Sequence, residues 1–160
     1  MGSFGARLIS VVLAALPVGV AQAACTDATL ELRGPSGVQR FTIEVADDAA
    51  EQAQGLMFRE KMPASAGMLF AFAPPKHAQF WMKNTLIPLD MIFANATGRV
   101  TRVHSNAIPQ DETPIDGGEG VAFVLEINGG LAARMGLAEG SEMRHPKIAQ
   151  SSAIWPCSDE

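Results

Sequence analysis

The sequence predicts a mainly β protein: an antiparallel, jelly-roll-like β-sandwich or barrel with two short helices. Three observations predict it. Short apolar or alternating runs of strand length recur along the chain, separated by Gly, Pro, Asn and Asp clusters. Only two brief stretches have helical character. Strand and helix patterns do not alternate in the order that builds a parallel sheet.

Thr29 to Arg33 alternates and reads as a strand, and Gly34-Pro35-Ser36-Gly37 reads as a turn. Val38 to Val45 resumes the alternation, with Phe41, Ile43 and Val45 on one side and Thr42 and Glu44 on the other. The opening is therefore a hairpin. Asp47 or Asp48 can cap a short helix over 49–54, which Gly55 ends. Gly67 to Phe72 is an apolar run of strand length. Ala73-Pro74-Pro75-Lys76-His77 reads as a loop, since two prolines cannot feed a ladder. Gln79 to Asn84 reads as the next strand, broken by Pro88. Leu89 to Ala94 and Arg99 to His104, around the turn at 95–98, form a second hairpin.

Asn106 to Gly120 is polar, Gly-containing and acidic at Asp111, Glu112, Asp116 and Glu119, and reads as a long loop. Val121 to Ile127 is apolar apart from Glu126 and reads as a central strand. Asn128-Gly129-Gly130 turns into a short helix over 131–135, and Glu142 to Ile148 reads as a last strand. The tail is polar except for Ile154 and Trp155, which are expected to dock beside Cys157. No internal repeat is visible.

Organisation follows from the ends of the chain. Arg7, an apolar run from Leu8 to Val20 and the small-x-small triplet Ala21-Gln22-Ala23 form a secretory signal over residues 1–23. The alternative is a buried N-terminal helix. Cleavage leaves one β domain, 24–160, expected to be periplasmic or secreted. No further run is long enough to span a bilayer. The chain of 160 residues carries a formal charge of −5, with Lys and Arg scattered, which argues against nucleic acid as a partner. In an exported protein its two cysteines, Cys25 and Cys157, read as a disulfide tying the termini together. The competing reading makes Cys25 a lipid attachment site, and the two exclude each other.

Catalytic signatures are missing: no nucleophile elbow, no His-Glu-x-x-His, no phosphate loop, no Cys-x-x-Cys. His77, His104 and His145 show no metal-ligand spacing. Five of the eight methionines lie between Met57 and Met91. Met57, Met68 and Met82 with His77 could hold Cu(I), although thioethers more often fill gaps in a core. No resident cofactor is indicated, and nothing specifies an oligomeric state.

The densest polar-apolar mixture is Gln79-Phe80-Trp81-Met82-Lys83-Asn84-Thr85-Leu86-Ile87-Pro88-Leu89-Asp90. Two readings stand. In the functional one, Trp81 and Lys83 floor a pocket for a small polar or anionic ligand, with Arg59, Asn84, Asp90 and Glu126 around it. In the structural one, Lys83 pairs with Asp90 or Glu126, and Arg59 bridges strands or a helix end. A hydrolase using Asp90 or Glu126 as general base is the enzymatic alternative.

Gly55-Leu56-Met57-Phe58-Arg59, Gly67-Met68-Leu69-Phe70, Phe80-Trp81-Met82-Lys83-Asn84-Thr85, Ile87-Pro88-Leu89-Asp90 and Val124-Leu125-Glu126 occur in that order. Together they resemble the prokaryotic family known as domain of unknown function 192, from about Thr42 to Arg144. The resemblance implies a jelly-roll-like β-sandwich. It implies no activity, substrate, cofactor or catalytic residue.

Overall fold

Alternating apolar residues pair the first two strands. In the computed structural model, which describes residues 1–2 and 25–158, β1 (Thr29–Gly34) and β2 (Gly37–Ala46) form an antiparallel hairpin. The expected signal segment and its cleavage at Ala23 lie outside the described residues. After β2 comes α1 (Ala49–Gln54). Its start is written in the sequence: the Asp48 carboxylate accepts from Glu51 N–H at 2.8 Å, and the Glu51 side chain reaches back to the Asp48 N–H. Gly55 ends it at φ 49°, a left-handed value that glycine tolerates.

The remaining elements are β3 (Ala66–Phe80), β4 (Leu89–Asn95), β5 (Val100–Ala107), β6 (Ile115–Asn128), α2 (Leu131–Arg134) and β7 (Glu142–Arg144). All seven strands join one sheet in the order β5-β4-β6-β3-β2-β1-β7, curled into a half-barrel. The chain is thus mainly β with two short helices, as expected, but its strands share one sheet rather than two stacked ones.

Alternation along the inner strands sends residues to both faces, and both are covered. Leu69, Ile92, Leu125 and Ile127 join Leu30, Phe41 and Met143 in one core. Met68, Phe70, Met91, Phe93 and Val124 join Leu56 and Met82 in the other. Such double burial explains the near-continuous apolar run in β6.

Five expectations are corrected. The sheet is not wholly antiparallel, because β2 and β3 run parallel, with α1 in the crossover between them. A six-residue helix is too brief to announce a crossover. The expected loop at Ala73-Pro74-Pro75-Lys76-His77 lies inside β3. The prolines fall between Ala71 and Lys76, where pairing to β6 is interrupted, so their missing N–H groups cost no ladder bond. The strand expected over Gln79–Asn84 stops at Phe80. Met82 N–H turns away to the Asp111 carbonyl at 2.8 Å, Thr85 N–H closes a turn on Met82 at 3.0 Å, and Asn84 is left-handed.

Lastly, the loop expected over Asn106–Gly120 shrinks, because β6 already begins at Ile115. Gly117, inside that expected loop, belongs to β6. It is buried in the strand, where an added Cβ would stand 2.4 Å from the Phe93 ring. The final strand also ends early, at Arg144.

Two polar devices close the fold. Asp90 is fully buried, and its carboxylate accepts from the N–H groups of Asn106 (2.8 Å), Gly130 (2.9 Å) and Ala132 (2.7 Å). It thereby caps α2, whose own N-cap, Gly130, has no side chain to do so. At the other end, Cys25 and Cys157 form a disulfide, which consumes the thiol that a lipid anchor on Cys25 would need. Beside it the Trp155 ring lies between the guanidiniums of Arg33 (4.5 Å) and Arg144 (4.3 Å). Glu31 accepts from both Arg40 and Arg144. Burial pushes its carboxyl up, but the two guanidiniums outweigh that and hold it below the ordinary range.

Replacing Asp90 by Ala strands three amides, that of Ala132 buried, and is expected to cost about 3 kcal/mol in urea unfolding. Replacing Cys157 by Ser opens a loop with a sequence separation of 132. The same measurement should then show a loss of up to about 5 kcal/mol.

Candidate functional site

Glu126 sits where an aliphatic residue would fit better. On β6 it stands between Met68 of β3 and Met91 of β4. It is 4% exposed. Among the described residues no donor or cation bonds its carboxyl, and burial alone pushes its pKa up to about 8. Every fully enclosed side-chain nitrogen or oxygen among the described residues has a partner. The Glu126 oxygens are therefore not sealed in. They open into a slot of about 130 Å³ between α1 and the end of β3.

The slot is built by three local events. Gly55 turns the chain off α1, and an added Cβ there would press the Phe70 ring at 3.1 Å. Leu56 then anchors the turn in the core. The Phe58 N–H bonds the Asn84 carbonyl at 2.8 Å, clipping this turn to the one that follows β3, with both residues left-handed. Trp81 and Thr85 project from the second turn into the slot wall. The apolar side is a set of edge-to-face phenylalanines centred on Phe80, which meets Phe70 at 5.2 Å and Phe72 at 6.4 Å. Gln52, Gln79 and Lys76 supply the polar edge. The Gln52 amide donates to the Ala71 carbonyl at 3.0 Å, which holds α1 against the sheet.

The six ligand candidates separate clearly. Trp81 and Glu126 both line the slot. Lys83 stands outside it with its ammonium 5.0 Å from the Trp81 ring centroid, a cation–π contact, and not in the ion pair with Asp90 or Glu126 that the structural reading required. The two side chains meet across a turn, not on a shared strand face. Asn84 is exposed, and its amide touches the Met57 sulfur at 3.8 Å. Arg59 is held by Glu44 in a two-pronged pair at 2.5 and 2.9 Å, so it bridges to β2. Asp90 is closed by backbone amides, which removes it as a general base.

The copper set is not assembled. Met68 and Met82 are core side chains. His77 lies at the surface with its ring nitrogens 2.8 Å from Asp116 and 3.1 Å from Glu119. Those carboxylates, Asp116 first, hold its pKa above the ordinary value. Among the described residues no three His, Cys, Asp or Glu side chains gather as a metal site, and no helix is long and apolar enough to cross a membrane. Phe70, Phe72, Gln52, Gln79, Lys76 and Thr85 were not anticipated. Their available signal was the even spacing of Phe70, Phe72 and Phe80, which puts them on one face if β3 is read as a single strand.

Solved structures share this architecture. A protein of unknown function from Novosphingobium aromaticivorans is 44% identical, with a TM-score of 0.72 over 81% of this chain and 90% of that one. A candidate transcription regulator from Sinorhizobium meliloti is 38% identical, with a TM-score of 0.71 over 76% of this chain and 95% of that one. No curated protein matches. The sequence profile described as "Uncharacterized ACR", domain of unknown function 192, matches residues 30–145, and the chain belongs to that family.

Proposed function

We propose that this protein is an exported binding module that takes a small, ring-sized polar ligand into the slot beneath Trp81, with Glu126 as its principal hydrogen-bonding group. One observation carries the reading: a buried carboxyl with no partner among the described residues lines an aromatic slot. Such a group is expensive. A Met or Leu at the same place would bury well between Met68 and Met91, whereas an unpaired polar group costs stability. Groups that perturb a core in this way concentrate at functional sites. The volume fits the size class, since a cavity of about 150 Å³ holds a benzene ring. With its pKa near 8, Glu126 is mostly protonated at neutral pH and can donate to a ligand oxygen. Export is supported by the signal-like start and by the terminal disulfide, a bond that persists in oxidising compartments. The regulator role named for the Sinorhizobium relative is not carried over, because the scattered basic residues give no phosphate-tracking face.

A second reading, a hydrolase, is favoured only by the raised pKa, which suits a general acid or base near neutral pH. No other carboxylate lines the slot among the described residues. Turnover of chromogenic ester or glycoside substrates, abolished in E126Q, would favour it over simple binding.

Two outcomes test the binding proposal. A thermal-shift and Trp-fluorescence screen of ring-sized polar compounds should find at least one that stabilises the wild type and not Glu126→Ala or Trp81→Ala. A screen in which every compound acts equally on all three proteins removes the proposal. Glu126 also sets a pH dependence. Its folded pKa, about 8, exceeds the ordinary 4.5, so the folded state holds a proton that the unfolded chain has released between those values. The Glu126 contribution to stability should therefore be greatest below the unfolded value and fall as pH rises toward 8, by on the order of 5 kcal/mol across the window. Denaturant unfolding of Glu126→Gln should lack that slope.

A further inference from the structure

We propose that the slot is the closed end of a longer trough, and that its ligand is a linear acidic oligosaccharide, a chain of uronic-acid units whose terminal ring enters beneath Trp81. This deepens the binding reading above and rests on it.

Continuity is the first support. A second depression of about 770 Å³ is lined by Asp47, Ala71, Pro74, Phe123 and Lys147. It shares Gln52, Phe72 and Lys76 with the slot, so the two meet beside β3. The slot alone suits one ring, and the trough beyond it has room for more. A single-ring ligand would leave that larger space unused.

Charge is the second. The chain is acidic overall, at −5, yet this surface is not. Lys147 is neutralised by Asp47 at 2.5 Å. Lys76 and Lys83 have no carboxylate partner among the described residues. Each rests its ammonium over an aromatic face instead: Lys76 3.8 Å above Phe72, Lys83 5.0 Å from Trp81. Burial pushes the Glu126 pKa up to about 8, so its charge opposes these two ammoniums less than an ordinary carboxylate would. They favour an anionic ligand. Their resting places also mark where its rings would lie: a sugar ring stacking on Phe72 or Trp81 displaces a lysine sideways, onto the ring's own carboxylate.

The third is the polar edge. Gln79 has no side-chain partner among the described residues, and the Gln52 carbonyl oxygen is unused once its amide nitrogen has bonded Ala71. Amides beside aromatic faces suit hydroxyl-bearing rings, which need donors and acceptors at the rim and apolar contact on the face. An acidic peptide would satisfy the lysines but would make little use of the stacked faces.

The test titrates the oxidised, full mature protein with oligogalacturonates of increasing length, by calorimetry and by Trp fluorescence. Neutral galactan oligomers and a polyglutamate peptide are the comparisons. The trimer should bind about tenfold or more tighter than the single unit and than the neutral trimer, and added salt should weaken it. Lys76→Glu and Lys83→Glu should each lower trimer affinity about tenfold at unchanged melting temperature, since both changes leave the core alone. Equal affinity for monomer and trimer overturns the inference and leaves the single-ring reading standing. Equal binding of neutral oligomers or of polyglutamate also overturns it. If no oligomer binds while a compound from the screen above does, only this inference falls. If nothing binds in either experiment, both fall.

Discussion

The constraint on which the rest of the structure depends is the burial of β6 on both faces. It pairs with β4 on one side and β3 on the other, and each face of the curled sheet carries its own core. A strand in that position has no solvent side to which a polar residue can point. Val121 to Ile127 obeys the rule at every position but one. Glu126 is tolerated only because α1 and the turns after it stop short of sealing the second core, and the resulting gap is the slot. The slot is thus an incompleteness in the packing of one face, not an addition to the surface.

That view also sorts the polar residues by what they do. Asp90 and Glu126 both come from apolar strands, and both are buried. Asp90 is surrounded by three amide donors and serves the architecture. Glu126 has none among the described residues and lines the slot. Arg59 and Lys83 differ in the same way: one is tied to a carboxylate, the other lies on an indole ring. Residue type could not separate the members of either pair. The partners come from distant segments, Asn106 and Gly130 for Asp90, Glu44 for Arg59, and only the folded register brings them in.

Much of the fold was legible because it rests on local signals. The first hairpin, the capping box of α1, the second hairpin and the apolar β6 all follow from alternation, turn residues and caps within a few positions. The failures came where a local signal was true but outvoted. Pro74 and Pro75 do break the ladder, yet the strand resumes beyond them at Lys76 because β6 continues alongside. Gly117 looked like a loop residue, whereas it is small because Phe93 needs its space. Trp81 and Lys83 do come together, though through a turn after Phe80 and not by strand parity. The site was half visible for the same reason. Trp81 and Glu126 stood out as chemically conspicuous, while Gln52, Gln79 and Lys76 are ordinary residues that matter only through position.

The cystine between Cys25 and Cys157 brings the two ends of the β domain to one spot, with Cα atoms 5.6 Å apart. Circular permutation becomes straightforward in consequence. A short bridge could replace the cystine and join those ends, and new termini could be opened at the exposed Ala96, in the tip between β4 and β5. The edge strand β5 would then become a chain terminus while the slot-lining residues from Gln52 to Thr85 stayed contiguous, a rearranged molecule in which the slot is separable from the connection that now fastens the two extremities.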